Sequence, residues 1–276
     1  MLRPTPILMR FPMTLRRTLQ ALAFGALFFA TASADARTNA STELLTGEAG
    51  VVFSSTRLVF HEKVERLTLY VTNKNETARL VAADLRKMAP DARTYTERTE
   101  EFVASPGVSI LPAKGKLPIR VVRIAEKLDE HQESLYLLRV RMVPETNLQG
   151  AAPEGAKVKT VLTTLLKVIY RPESIDDPEA LERAPSQIRV HVEKNALVLE
   201  NPTPYWLTVA RLEVKGKSLI DPAERLPLLA PAGGRVRLPA PERIASEDRV
   251  TLALLTDRGV VGDAVHIPLT FTEVQP

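Results

Sequence analysis

One lysine interrupts an otherwise apolar run, 161-VLTTLLKVIYRP-172. Val161, Leu162, Leu165, Leu166, Val168, Ile169 and Tyr170 are apolar, and Pro172 closes the stretch. A buried ammonium is costly unless it is paired. Lys167 must therefore snorkel to solvent at a strand end, or face a partner inside or outside the protein. Other reactive chemistry is sparse. The four histidines, His61, His131, His191 and His266, lack the i, i+4 spacing with a third ligand that a metal needs. There is no GxSxG elbow, no P-loop and no GxGxxG loop. No pair of carboxylates stands out for glycoside chemistry. The chain has no cysteine, which excludes thiol catalysis, iron–sulfur clusters and cysteine zinc sites. The residues point to a binding protein and not an enzyme, with no cofactor and no metal.

The elements around Lys167 read as strands. In 65-ERLTLYVTNKNE-76, Leu67, Leu69 and Val71 alternate with Arg66, Thr68, Tyr70 and Thr72, and Asn73-Lys74-Asn75 signals a turn. The stretch 78-ARLVAADLRK-87 fits a strand or a short helix by period, and its strand neighbours favour the former. 134-SLYLLRVRMVPE-145 is a strand stopped by Pro144. Residues 146–157 are polar with Gly and Pro and read as a mobile loop. Short strands recur from residue 188 to 271, turning at Gly233-Gly234 and at Asp257-Arg258-Gly259. The pattern predicts an all-β protein of two β-sandwiches in tandem. The expected organisation is a first domain over 51–172 with its last strand at 158–170, an acidic, proline-bounded linker over 173–187 with room for one helical turn, and a second domain over 188–276.

The N-terminus has an address of its own. Residues 1–36 combine Arg3, Arg10, Arg16 and Arg17, the apolar run 21-ALAFGALFFA-30 and the small-residue stretch 32-ASADA-36. These are the three regions of a cleaved export signal, and the apolar run is too short for a bilayer core of roughly 30 Å. Residues 37–50 read as a flexible mature N-terminus. The formal net charge of +4 equals the four arginines of residues 1–34, which hold no acidic residue. The exported chain is then formally neutral. Neither nucleic acid nor direct membrane insertion is expected of it.

Several segments together resemble the periplasmic pilus-assembly chaperones of the chaperone–usher pathway. They are 55-STRLVF-60, 65-ERLTLYVTNKNET-77, 133-ESLYLLRVRMVPE-145, 166-LKVIYRP-172 and 201-NPTPYWLTV-209, with looser matches at 229-LAPAGGRVRLP-239 and 256-TDRGVVG-262. The resemblance implies two immunoglobulin-like domains in an L-shaped arrangement. It implies that Arg57 and Lys167 line the cleft between them and bind the C-terminal carboxylate of a pilus subunit. It implies that strand 158–170 completes the subunit's open sandwich by β-augmentation. By the family's spacing from Lys167, Val158, Thr160 and Leu162 face the subunit's groove. Thr160 departs from the large apolar residue expected there, and a register shifted by one would use Val161 and Leu165. Glu133, Arg171 and Asp257 match an interdomain charge cluster, although Asp-Arg-Gly replaces the usual Asp-aromatic-Gly. The implied function is to bind, fold and cap pilus or fimbrial subunits in the periplasm and deliver them to an outer-membrane usher. An exposed donor strand would also let the free protein associate with itself. The competing reading is an exported two-domain β adhesin or surface structural protein.

Overall fold

The computed structural model of the protein describes residues 46–47, 50–144, 161–221 and 226–271. The export signal, the loop 146–157, Val158 and Thr160 lie outside the described residues.

Among the described residues, ten strands form the first domain. They are β1 Thr46–Gly47, β2 Val51–Phe53, β3 Arg57–His61, β4 Arg66–Asn73, β5 Arg79–Lys87, β6 Phe102–Ser105, β7 Val108–Leu111, β8 Lys116–Arg123, β9 Ser134–Pro144 and β10 Leu162–Arg171. One sheet has the order β1-β2-β4-β8-β6 and the other β3-β10-β9-β5-β7. Period-two patterning decides which side chains enter the space between them. Leu69 and Val71 of β4 are buried, and so are Val81, Ala83 and Leu85 of β5, which is a strand as its neighbours suggested. Phe60, Phe102 and Tyr136 anchor the core, with ring centroids 5.0 Å and 4.6 Å apart in tilted and edge-on contacts. Part of the segment expected to be flexible is strand: Thr46–Gly47 pairs with Val51 and Val52.

The expected linker differs more. Glu173–Ile175 is a 3-10 turn, and helix α1 runs over Pro178–Gln187. Asp177 caps α1 by accepting a hydrogen bond from the Glu179 N–H at 2.9 Å, with Pro178 at the first helical position. Ala184 is fully buried in the second core, and Ile175, Ala180 and Leu181 pack against it. The segment is thus an integral piece of the second domain. Its helix forms because an apolar stripe has a sheet to cover.

The second domain adds β11 Arg189–Glu193, β12 Ala196–Asn201, β13 Leu207–Val214, β14 Lys217–Ser218, β15 Leu228–Leu229, β16 Gly234–Pro239, β17 Arg249–Leu254, β18 Val265–Pro268 and β19 Thr270–Phe271. Its sheets are β16-β12-β11-β19 and β14-β13-β17-β18, with β15 paired to β13. The two domains reuse one local device. Asn73 Nδ2 donates to the carbonyls of Thr77 and Pro112, while its Oδ1 accepts from the Asn75 N–H. Asn201 Nδ2 donates to Tyr205 and Ala230 carbonyls, and its Oδ1 accepts from the Thr203 N–H. A buried asparagine at a strand exit thereby ties each following turn to a distant loop.

A third apolar cluster joins the domains. Leu135, Leu137 and Ile169 of the first meet Trp206, Leu228 and Ala230 of the second, with Met88 at the edge.

Candidate functional site

The chain leaves one sheet and enters the other between β2 and β3. Ser55 marks the crossing: its hydroxyl donates to the Arg57 carbonyl and accepts from the Arg57 N–H. Because of that crossing, β3 begins only at Arg57. It runs parallel to the second half of β10, pairing Lys167 with Arg57 through Arg171 with His61. On its other side β10 pairs with β9 along its length, from Leu162 to Tyr170. Leu162–Leu166 therefore has a strand on one edge and, among the described residues, none on the other. The open edge starts where Arg57 and Lys167 stand side by side.

The two cations differ in surroundings. Arg57 is 5% exposed, and its guanidinium makes no hydrogen bond among the described residues; Nε is fully enclosed. Burial pulls its pKa below the ordinary arginine value, against the raising fields of Asp257 and Glu133. Lys167 is half-buried and donates from Nζ to the Thr208 hydroxyl of the second domain at 2.8 Å. Lys167 is thus bridged across the domain boundary at a strand position, not simply displayed to solvent.

The donor side chains divide by phase. Leu162 lies on the inward face with Thr164 and Leu166 and packs at the rim of the first core. The outward face carries Val161, Thr163 and Leu165, with Val161 50% and Leu165 40% exposed. Of the residues assigned by spacing from Lys167, Leu162 is therefore turned toward the protein's own interior, and the shifted register holds the exposed apolar surface.

The charge cluster is assembled from three parts of the chain. Arg171 donates from Nε to Glu133 Oε1 at 2.7 Å, and from both terminal nitrogens to Asp257 at 2.7 and 3.0 Å. Glu133 Oε2 accepts from the Trp206 N–H at 2.7 Å, and the Trp206 indole donates to the Glu133 carbonyl at 3.0 Å. Burial drives Glu133 up to about 7, because Arg171 and the Trp206 N–H only partly offset its desolvation. Burial alone would lower Arg171, but its bonds to Asp257 and Glu133 hold it above its ordinary value.

Residues 50–176 match the family described as "Pili and flagellar-assembly chaperone, PapD N-terminal domain", and residues 183–265 match "Pili assembly chaperone PapD, C-terminal domain". The chain belongs to the pilus-assembly chaperone family. Among curated relatives, the probable fimbrial chaperone protein ElfD of Escherichia coli O157:H7 is 27% identical over 194 residues, covering 68% of this chain and 78% of the relative. The chaperone protein FocC of Escherichia coli is 25% identical over 218 residues, covering 79% and 89%. Among solved structures, the periplasmic chaperone SfaE superposes with a TM-score of 0.63 at 23% identity, over 80% of this chain and all of that one. The SafB chaperone, solved with the SafA pilin of Salmonella enterica, gives 0.65 at 23% identity, over 79% of this chain and 96% of that one. These structural likenesses establish the fold: two immunoglobulin-like sandwiches.

Two residues of this chaperone's cleft escaped sequence reasoning. Trp206 and Thr208 lie in the stretch 201-NPTPYWLTV-209, which carried the resemblance as a whole without separate roles. Trp206 bonds Glu133 through its backbone and its ring, and Thr208 bonds Lys167. The one local signal for Thr208 is a hydroxyl among buried apolar neighbours, Leu207 and Val209.

Proposed function

We propose that the protein is exported by a cleaved leader to the periplasm, where it binds pilus or fimbrial subunits one to one, completes their open sandwich with β10 and passes them to an outer-membrane usher. The observation that carries this reading is the Leu162–Leu166 edge, which begins at the Arg57–Lys167 pair and has no strand on its second side among the described residues. An unpaired edge offers main-chain donors and acceptors to an extended segment. A terminal carboxylate on the two cations would fix the register of that segment. Each charge-assisted hydrogen bond contributes about 1.5–3 kcal/mol. Val161 and Leu165 are the side chains we assign to the subunit's groove. The Glu133–Arg171–Asp257 cluster keeps the two domains in one relative orientation, so that the cleft keeps its shape.

The test is capture from a periplasmic extract by the full protein and by its Lys167→Ala variant. Wild type is expected to retain a pilin-like partner that the variant loses. Equal retention by both would remove the cleft from the mechanism.

A further inference from the structure

The first sandwich has a second outer face, on the sheet β1-β2-β4-β8-β6, which takes no part in the cleft. β4 and β8 turn Leu69, Val71, Ile119 and Val121 into the core, so period two sends their alternate residues outward. Arg66, Lys116 and Arg120 are among these, and all three are exposed. The register spreads them along the strand pair: Arg66 begins β4, Arg120 stands opposite Thr68, and Lys116 opposite Thr72. At about 3.4 Å per residue the stripe is about 20 Å long. The strands of this sheet contain no aspartate or glutamate. The acids that flank them at Glu76 and Glu101 are taken by Lys114 and Lys87, at 2.6 Å each. Among the described residues none of the three cations forms an ion pair. On the opposite sheet, by contrast, Arg139 pairs with Asp84, and on the second domain Arg235 pairs with Glu200. Two half-exposed apolar groups complete the face. Tyr70 is 40% exposed, with Lys116 Nζ 4.0 Å from its ring centroid, and Val103 of β6 is 44% exposed.

We propose that this face docks on an anionic lipid bilayer, lying on the headgroups without entering the hydrocarbon core. Charge complementarity carries the argument. Without the leader the chain is formally neutral, so attraction to an anionic surface must come from a local cluster, and here three cations stand together with no acid among them. A nearly flat sheet presents all three at once. They are spread along the stripe with no pocket between them, which suits a fluid array of phosphates more than one fixed pattern of acidic side chains. Each lysine or arginine at an anionic membrane surface strengthens binding about fivefold. A tyrosine among them supplies the amphipathic ring that settles at headgroup depth. The second domain packs on the opposite sheet, through Leu135, Leu137 and Ile169. A bilayer on this face therefore leaves the cleft and the Leu162–Leu166 edge uncovered. The inference goes beyond the reading of the protein as a subunit chaperone and does not depend on it.

The experiment is vesicle co-flotation of the protein purified from the periplasm, its mass checked for loss of the leader. The vesicles are phosphatidylcholine alone, or phosphatidylcholine with about 30% phosphatidylglycerol, at about 0.05 M and about 0.5 M salt. Wild type is expected to partition about a hundredfold more strongly onto the anionic vesicles at low salt and to leave them at high salt. The triple variant Arg66→Gln, Lys116→Gln, Arg120→Gln is expected to lose that preference, and each single change to cut it about fivefold. Tyr70→Ser is expected to weaken binding about two- to fivefold and to keep its salt dependence. A control triple, Arg183→Gln, Lys217→Gln, Arg249→Gln, removes the same charge from exposed positions of the second domain and is expected to bind as wild type does. If the first triple does not fold, the single variants carry the test. Equal loss in the two triples would mean that bulk charge and not this face holds the lipid, and would overturn the proposal. Indifference of wild type to phosphatidylglycerol would do the same. So would its displacement from the vesicles by soluble poly-glutamate at equal charge concentration, which would assign the face to an acidic protein.

Discussion

Glu133 is the side chain on which the two domains meet. It is buried, shares Arg171 with Asp257, and takes the Trp206 N–H. Its folded pKa of about 7 lies above the ordinary 4.5. An acid raised in this way contributes stability that is complete below pH 4.5 and is lost as pH rises through 7. The loss across that window is on the order of 3 kcal/mol. Urea unfolding at a series of pH values checks it: the wild-type midpoint should fall between pH 5 and 8 more than that of Glu133→Gln, which has one acceptor oxygen in place of two and does not ionise. Parallel pH profiles for the two proteins would show that Glu133 is ionised throughout. Arg57 illustrates the opposite economy at residue scale. It is buried without a hydrogen bond among the described residues, an arrangement that gives the free protein little and fits a group reserved for a ligand.

At the scale of elements, β10 has two jobs divided along its length. From Lys167 to Arg171 it is a central strand between β3 and β9, and its side chains are mostly buried. From Leu162 to Leu166 it has a strand on one side only among the described residues, and the outward residues are exposed. A substitution on the outward face of the edge half should spare the fold and strike binding. Leu165→Lys is expected to change unfolding free energy by no more than about 0.5 kcal/mol, while reducing capture of the partner in the same pull-down that tests Lys167→Ala. A large loss of stability would mean that Leu165 belongs to the protein's own packing. Period-two alternation made the strand legible, and the lysine stands where β3 joins it. The phase of Leu162 was not legible, because a one-residue choice of register depends on what the opposite sheet presents. Helix α1 was hidden for a similar reason: Ala184 and Leu181 look unremarkable until the second core lies beneath them.

At the scale of the molecule, the domains touch closely enough to leave no room for a methyl group. Gly259, in the turn after Asp257, has φ +77°, and a Cβ there would sit 2.1 Å from Thr56 Oγ1 and 3.9 Å from Arg57 Nε. Only glycine suits both the backbone angle and the approach. Gly259→Ala is expected to destabilise the protein by about 2 kcal/mol and to loosen the seam formed by Leu135, Ile169 and Trp206. Scanning calorimetry reads both effects, as a lower midpoint and a broadened or divided transition. An unchanged single transition would show that the seam holds without this contact.

What followed from the sequence alone was local or carried by order along the chain. Alternating apolar residues identified the strands, the absence of cysteine and metal-ligand spacing removed whole classes of chemistry, and the ordered segments from 55-STRLVF-60 to 256-TDRGVVG-262 pointed to the family. Tertiary structure decided what depends on residues far apart meeting. It set Arg57 beside Lys167 across a parallel pair, left Leu162–Leu166 without a second neighbour among the described residues, and brought Thr208 to the lysine from 41 positions away. Strand propensity is written in neighbouring residues. Whether a strand edge is covered, and which charges share a cleft, depends on how two sheets and two domains close around each other.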